Sequence, residues 1–421
     1  MKGGVTIFLL FMTSTICIAE PNLDWDWMVT VSNTQHRDSV WFEPHSESQT
    51  QQLEGLISVQ ANWQDWSGLL AVKGNQIAPS EQVQTFDADF IVQELFWQGE
   101  WNMGASPVDL TLGKLRLDWG VGYGYRPLNF FNPYRRNPVG IQVEEGVGVA
   151  MASYFDRSGE WSLIYSDSNW MVLDSTEPKQ GSEQQGVGIR RYSLRGDTEW
   201  QGIVYYDTVR HGLIAGSMVS VINAFWEVHA SSLYQQDYRA YQQQAFFTPV
   251  AVETQRDGFQ GLIGLNWANE AGNQVIVEYW YDNRAWSKDE WIQALERANI
   301  LSQQTTTVSL AHSYAQGLNQ VNLVQHNVML HWNLNSTSWR HWQWSKDILW
   351  VGNLEPKFDL LYSPEDGGII ATQWLNYSTY DSGTVSMDIE LAVRFMTGSH
   401  ASVYANLADT RMIFINLKGK F

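Results

Sequence analysis

The chain has 421 residues, 44% of them hydrophobic, and 26 Lys+Arg against 45 Asp+Glu give a formal net charge of −19, which argues against nucleic acid as a partner and against general attraction to anionic lipid. A single cysteine, Cys17, excludes an internal disulfide framework and a cysteine-built metal site. The 22 Trp and 18 Tyr exceed what a soluble core of this size uses and suit a membrane interface or a sugar-binding surface.

Residues 1–19 read as a secretory leader: Lys2 opens it, Val5 to Phe11 is apolar, and Cys17 and Ala19 form the small-x-small cleavage pattern. The mature chain is expected to start at Glu20. Ile16, ahead of Cys17, disfavours a lipid-anchored alternative. The apolar stretch Gly212 to Trp226 is 15 residues long, where a membrane helix needs about 20. A chain that spans a bilayer without such helices must do so as a closed barrel, because every backbone donor and acceptor in hydrocarbon has to be paired.

Period-two alternation, one residue to lipid and the next to a lumen, recurs along the chain. From Leu53 to Gln64 the odd positions Leu53, Gly55, Ile57, Val59, Ala61 and Trp63 are apolar or Gly, and Glu54, Ser58, Gln60, Asn62 and Gln64 are polar. The pattern returns from Phe259 to Trp267 and from Val275 to Tyr281. It returns again from Val385 to Phe395, opposite Ser386, Asp388, Glu390 and Arg394. Trp280 and Ile276 are apolar members of an otherwise polar inward set. Short turns are expected at Asp65 to Gly68, Asp156 to Gly159, Arg195 to Thr198, Asn269 to Gly272 and Asp381 to Gly383. Another must fall near Asn223 without Gly or Pro. Longer loops are expected about His36 to Gln52, Ile77 to Ala88, Trp119 to Glu145, Trp170 to Gln185, Gln236 to Arg256 and Arg284 to Thr305.

The reading is therefore an all-β transmembrane antiparallel β-barrel over residues 20–421. It has about 18 strands, within a range of about 16 to 20, with long extracellular loops and short periplasmic turns. The weakest stretches are Gly212 to Leu233 and Trp344 to Ser363. One loop helix is expected where Ser287 and Glu290 form a capping box ahead of Trp291, Ala294, Leu295 and Ala298, as packing rather than function. The chain ends at Phe421 after Ile413, Ile415, Leu417 and Gly419. This resembles the terminal strand that the barrel-assembly machinery recognises, except that Gly419 stands where an aromatic residue is usual.

The densest segment runs from Leu112 to Pro133: L-G-K-L-R-L-D-W-G-V-G-Y-G-Y-R-P-L-N-F-F-N-P. It resembles a segment of poorly characterised porin-like outer-membrane proteins of Gram-negative bacteria. There a G-K/R-x-R-x-x-W-G-x-G stretch precedes P-x-D-x-F-N-P. Gly113, Lys114, Arg116, Trp119, Gly120, Gly122, Pro127, Phe131, Asn132 and Pro133 fill the pattern, and Asn129 replaces the commoner Asp. The likeness implies a barrel in the cell outer membrane, contacting outer-membrane lipid, and names no substrate.

Read physically, the apolar parity switches after Leu112 to Leu115, Leu117 and Trp119, so Gly113 is expected to mark a bulge. Lys114, Arg116 and Asp118 would then face the lumen. Gly120, Gly122 and Gly124 precede Arg126, Arg135 and Arg136, giving five basic residues and one acid between Gly113 and Arg136. Lys114, Arg116, Asp118, Arg126, Arg135 and Arg136 are thus the candidate constriction residues, a basic ladder for small polar or anionic solutes. Alternatively the cations pair with lumen carboxylates such as Asp388 and Glu390 and pack the wall. The glycines are not a phosphate loop, since no Gly-Lys-Ser/Thr or helix follows.

Catalytic residues, cofactor and metal site are all expected to be none. His326 and His331, five apart, fall on opposite faces of a strand, and neither a G-x-S-x-G elbow nor H-E-x-x-H occurs. A lipid-modifying or hydrolytic barrel enzyme remains a distant alternative. The leading function is a porin-like channel for small solutes. The second is a conduit or receptor for hydrophobic cargo with periplasmic partners, which would need apolar inward patches or a lateral opening.

Overall fold

A computed structural model describes residues 21–43, 48–78, 87–103, 106–131, 134–135, 141, 143–171 and 184–421. The expected leader 1–19 and its cleavage site lie outside the described residues.

Eighteen strands form one antiparallel sheet. They are β1 (Asn22–His36), β2 (Gln49–Trp63), β3 (Trp66–Ala78), β4 (Asp87–Met103), β5 (Ser106–Leu115), β6 (Val147–Asp156), β7 (Gly159–Asp167), β8 (Gln185–Arg195) and β9 (Thr198–Asp207). The second half comprises β10 (Leu213–Asn223), β11 (Trp226–Gln242), β12 (Ala251–Ala268), β13 (Asn273–Asp282), β14 (His326–Leu334), β15 (Leu354–Tyr362), β16 (Ile369–Asp381), β17 (Ser386–Thr397) and β18 (Asp409–Lys420). Each strand pairs with the next, and β1 pairs with β18 from Asp26↔Lys420 to His36↔Asp409. Closure leaves no sheet edge unpaired, as a wall in lipid requires.

Alternation places the side chains as the sequence implies. Leu53, Ile57 and Trp63 are exposed on the outer face and Glu54 and Ser58 are buried inside. On β13, Val277 and Tyr279 point out while Ile276, Glu278, Trp280 and Asp282 are buried within the barrel. His326 faces out near Tyr279, at 2.6 Å, and His331 faces in against Asp359, at 2.6 Å.

The start of β1 at Asn22 and the end of β18 at Lys420 lie on one rim with the short turns, and the long loops occupy the other. The turn after Asn223 exists without Gly or Pro because Asn223 Oδ1 accepts the N–H groups of Phe225 and Trp226, at 2.9 and 3.2 Å. Three expectations need correction. The loop placed at Gln236 to Arg256 is only 243–250, because β11 and β12 stay paired up to Gln242↔Ala251. The loop begun at Arg284 runs to residue 325. On the short-turn rim, residues 335–353 form a long excursion where a tight turn would serve.

The 283–325 loop contains α1 (Lys288–Leu301) and α2 (Val308–Ser313). The capping box is present: Ser287 N–H donates to Glu290 Oε2 at 2.8 Å. Trp291, Ala294, Ala298 and Leu301 of α1 pack with Trp41, Trp286, Tyr314 and Tyr404 into an apolar core over the long-loop rim. The helix forms where the capping box placed it and packs within the loop.

Candidate functional site: a loop folded into the lumen

The site is built by the segment between β5 and β6. Gly113 has φ +137, and a Cβ there would lie 2.4 Å from the Leu95 carbonyl oxygen, so only glycine fits this close approach. The ladder keeps its register through Gly113 on both sides. The expected bulge is instead on β4, where Gln93 is skipped between Leu69↔Glu94 and Leu70↔Val92. The strand ends at Leu115 because Glu94 Oε1 accepts the N–H of Arg116 at 3.1 Å and its Nε at 3.0 Å, turning the chain off the wall.

Leu117 and Trp119 then face neither lipid nor water. With Leu128, Phe130 and Phe131 they pack on inward residues of β6 to β11: Val149, Ile164, Ile203, Tyr205, Leu213 and Leu233. Trp119 meets Phe131 edge-on with ring centroids 5.4 Å apart. Asn129 Oδ1 accepts the Gly120 N–H at 2.7 Å and closes the loop on itself. The amide therefore does what an aspartate could also do at this position.

The tip is fastened to the opposite wall. Tyr123 N–H donates to Glu278 Oε1 at 2.6 Å and Gly124 N–H to Oε2 at 2.7 Å. His229 Nε2 lies 2.8 Å from the same carboxylate, which is fully buried. The Tyr125 hydroxyl donates to Gln260 Oε1 at 2.5 Å and sits 3.1 Å from Asp282 Oδ2. Arg284 and Asn322 hold Asp282 at 2.7 and 2.8 Å. Burial, reinforced by the Asp282 charge, pushes the Tyr125 pKa well above the ordinary tyrosine value. The hydroxyl therefore remains a donor at neutral pH.

Between loop and wall is a cleft of about 50 Å³, lined by Tyr125, Arg126 and Asn129 on one side and Arg210, Tyr238, Arg239, Gln260 and Arg284 on the other. Four guanidinium groups surround it. Arg210 is oriented by Asp207 at 3.2 Å and by the Phe130 carbonyl at 2.5 Å.

The six sequence-derived residues separate here. Lys114 is buried in an ion pair with Glu145, Arg116 is bound to Glu94, and Asp118 is exposed and bonded to Arg126 at 2.5 Å. Arg126 alone lines the cleft. Arg135 is placed by its backbone, in a two-residue ribbon pairing Tyr125↔Arg135, and Arg136, Asn132 and Pro133 lie outside the described residues. The cations thus pair with carboxylates, as the alternative reading held, but with Glu145, Glu94 and Asp118; Glu390 instead accepts from Asn416 at 2.7 Å and faces Lys418 at 3.4 Å. Arg210, Arg239, Arg284 and Glu278 come from distant elements that sequence reading did not connect. Their signal was parity: Glu278 and Asp282 are the inward carboxylates of a strand whose outward residues are apolar.

Solved structures share this barrel fold, among them three chains that superpose along nearly their whole length. OccAB1 of Acinetobacter baumannii superposes with a TM-score of 0.51 at 8% identity, over 96% of this chain and 97% of that one. OccK8 (OprE) of Pseudomonas aeruginosa gives 0.50 at 9%, over 96% and 98%. OccK7 (OpdD) of the same organism gives 0.50 at 6%, over 96% and 99%. At these identities the likeness is one of fold. No family model matches the sequence, and no curated protein matches it.

Proposed function

We propose that the chain is an outer-membrane channel of a Gram-negative bacterium. It passes small polar solutes, anions preferentially, through the cleft beside residues 117–131. The observation that carries this reading is the coverage of the inward apolar patch. Val149, Ile164, Ile203, Leu213 and Leu233 would offer an acyl chain a path, but the loop's own Leu117, Trp119, Leu128, Phe130 and Phe131 occupy them. What lies open beside the loop is lined mainly by four arginines, Tyr, Gln and Asn, with Pro127, Phe130, Val209 and Val321 between them, a setting better suited to hydrated or anionic solutes than to hydrophobic cargo.

Two further observations support the reading. The 18-stranded barrel shares its fold with the Occ proteins OccAB1 and OccK8 (OprE), and the segment beginning at Gly113 resembles that of porin-like outer-membrane proteins. The C-terminal strand, ending at Phe421, is the segment we assign to the barrel-assembly machinery. The test is single-channel recording of the mature protein in a planar bilayer. Steady current whose reversal potential reports anion preference is expected. A folded barrel that carries no current, or one that prefers cations, overturns the proposal.

A further inference from the structure

Residues 335–353 join β14 to β15 on the short-turn rim. Seven other connections share its rim, and those are 2–4 residues long against its 19. Exposed tryptophans mark where that rim meets the bilayer interface. Trp63 and Trp66 flank the first turn, and Trp101, Trp161, Trp200 and Trp226 each stand within two residues of a strand end there. The excursion extends this belt. Trp339, Trp342 and Trp344 contact one another, with Trp342 and Trp344 stacked at 16° and 6.0 Å. Trp344 is 64%, Trp350 58% and Leu349 91% exposed.

These rings are held out by a built scaffold. Asn335 Oδ1 caps Thr337 at 2.9 Å, Ser345 Oγ donates to the Trp339 carbonyl at 2.6 Å, and Trp339 Nε1 donates to the Leu354 carbonyl at 2.7 Å. In a chain of net charge −19, this stretch carries Arg340, His341 and Lys346 against the single acid Asp347. Aromatic rings beside cations match the chemistry of a phospholipid headgroup layer, where each Lys or Arg near an anionic surface adds about 1 kcal/mol.

We infer that residues 335–353 form a foot that lies in the membrane leaflet at the termini rim. Trp344, Leu349 and Trp350 enter the interface, and Arg340 and Lys346 hold anionic phospholipid phosphates. The inference rests on the outer-membrane location proposed above but not on channel activity, and under that reading the leaflet is the periplasmic one.

Cys17 is the only cysteine and falls in the expected leader, so single labels are available in the mature chain. Spin labels at Trp344→Cys and Trp350→Cys are compared in phosphatidylethanolamine/phosphatidylglycerol proteoliposomes with Ile263→Cys, on the outer wall, and Asp197→Cys, in a two-residue turn of the same rim. Foot labels that collide with oxygen more than with a water-soluble nickel complex, as Ile263→Cys does, support the foot. Foot labels as accessible to nickel as Asp197→Cys overturn it and point to a surface for a soluble partner. If Ile263→Cys itself reports water, the membrane location fails first. Arg340→Glu with Lys346→Glu leaves the tryptophans intact and should weaken phosphatidylglycerol retention in native mass spectra at least fivefold; unchanged retention overturns the headgroup contact.

Discussion

The main-chain N–H of Gly124 donates to Glu278 Oε2 at 2.7 Å although 154 positions separate them. With the Tyr123 N–H on the other oxygen, one wall carboxylate fixes the loop tip. The tip packs closely there: a Cβ on Gly124 would stand 2.4 Å from the Met329 sulfur, which would have to shift to admit a side chain.

Glu278→Ala should therefore release the tip while the aromatic anchor at Leu117 and Phe130 stays seated. Two charge-assisted hydrogen bonds are worth about 3 kcal/mol or more together, roughly a hundredfold in the ratio of docked to released tip. Single-channel records should change from one steady level to flicker between two, with barrel unfolding little affected.

The cleft arginines should act on selectivity by charge. Arg239→Gln removes a cation that lines the cleft. At about 10 Å in water-like surroundings one charge is worth about 0.4 kcal/mol, so anion preference in reversal potentials should fall about twofold. Arg116→Gln, whose parent side chain is held by Glu94, should change selectivity less.

Lys114 and Glu145 are both buried, and their pair predicts a stability effect rather than a transport effect. Lys114→Met strands the Glu145 carboxylate and should cost about 3–5 kcal/mol, whereas Lys114→Met with Glu145→Leu should recover most of that loss. Denaturant unfolding in detergent micelles measures both.

The seam offers a fourth test. Trp27 of β1 lies opposite Gly419 of β18, and a Cβ on Gly419 would meet the Trp27 ring at 2.6 Å. An aromatic side chain from the first strand thus covers the glycine found where the last strand usually carries an aromatic. Gly419→Phe should lower stability by about 1–3 kcal/mol, and Trp27→Ala in the same chain should restore much of it, as read by heat-modifiable gel mobility.

Asn129 supplies the fifth. Its Oδ1 accepts from Gly120 N–H, a task a carboxylate oxygen performs equally. Asn129→Asp should leave conductance unchanged, and Asn129→Ala should cost about 1 kcal/mol of loop stability and raise open-channel noise.

Much of the barrel was legible because its wall obeys a two-residue period wherever lipid lies on one side and polar groups on the other, as in β2, β12, β13 and β17. The misplaced loop at 236–256 marks the limit of that logic: Asp257, at φ +60, interrupts the alternation, while Tyr238 to Gln242 remain paired with Ala251 to Gln255. Residues 335–353 were opaque because an aromatic-rich excursion has no period to read. The inserted loop announced itself through closely spaced glycines and arginines, yet its partners did not. Glu278, Arg210 and Arg284 are each one polar residue among many in chain order, and only closure of the sheet brings them to Tyr123, Phe130 and Tyr125.

The stretch of wall beneath Leu117 and Phe131 is apolar on its inner face as well as its outer one. Excising the loop would thus not leave a wider aqueous pore. It would bare a greasy slot along β6 to β11 from which water withdraws, and narrow hydrophobic passages close to ions by drying alone. The segment that narrows the lumen is also what keeps this side of it wet.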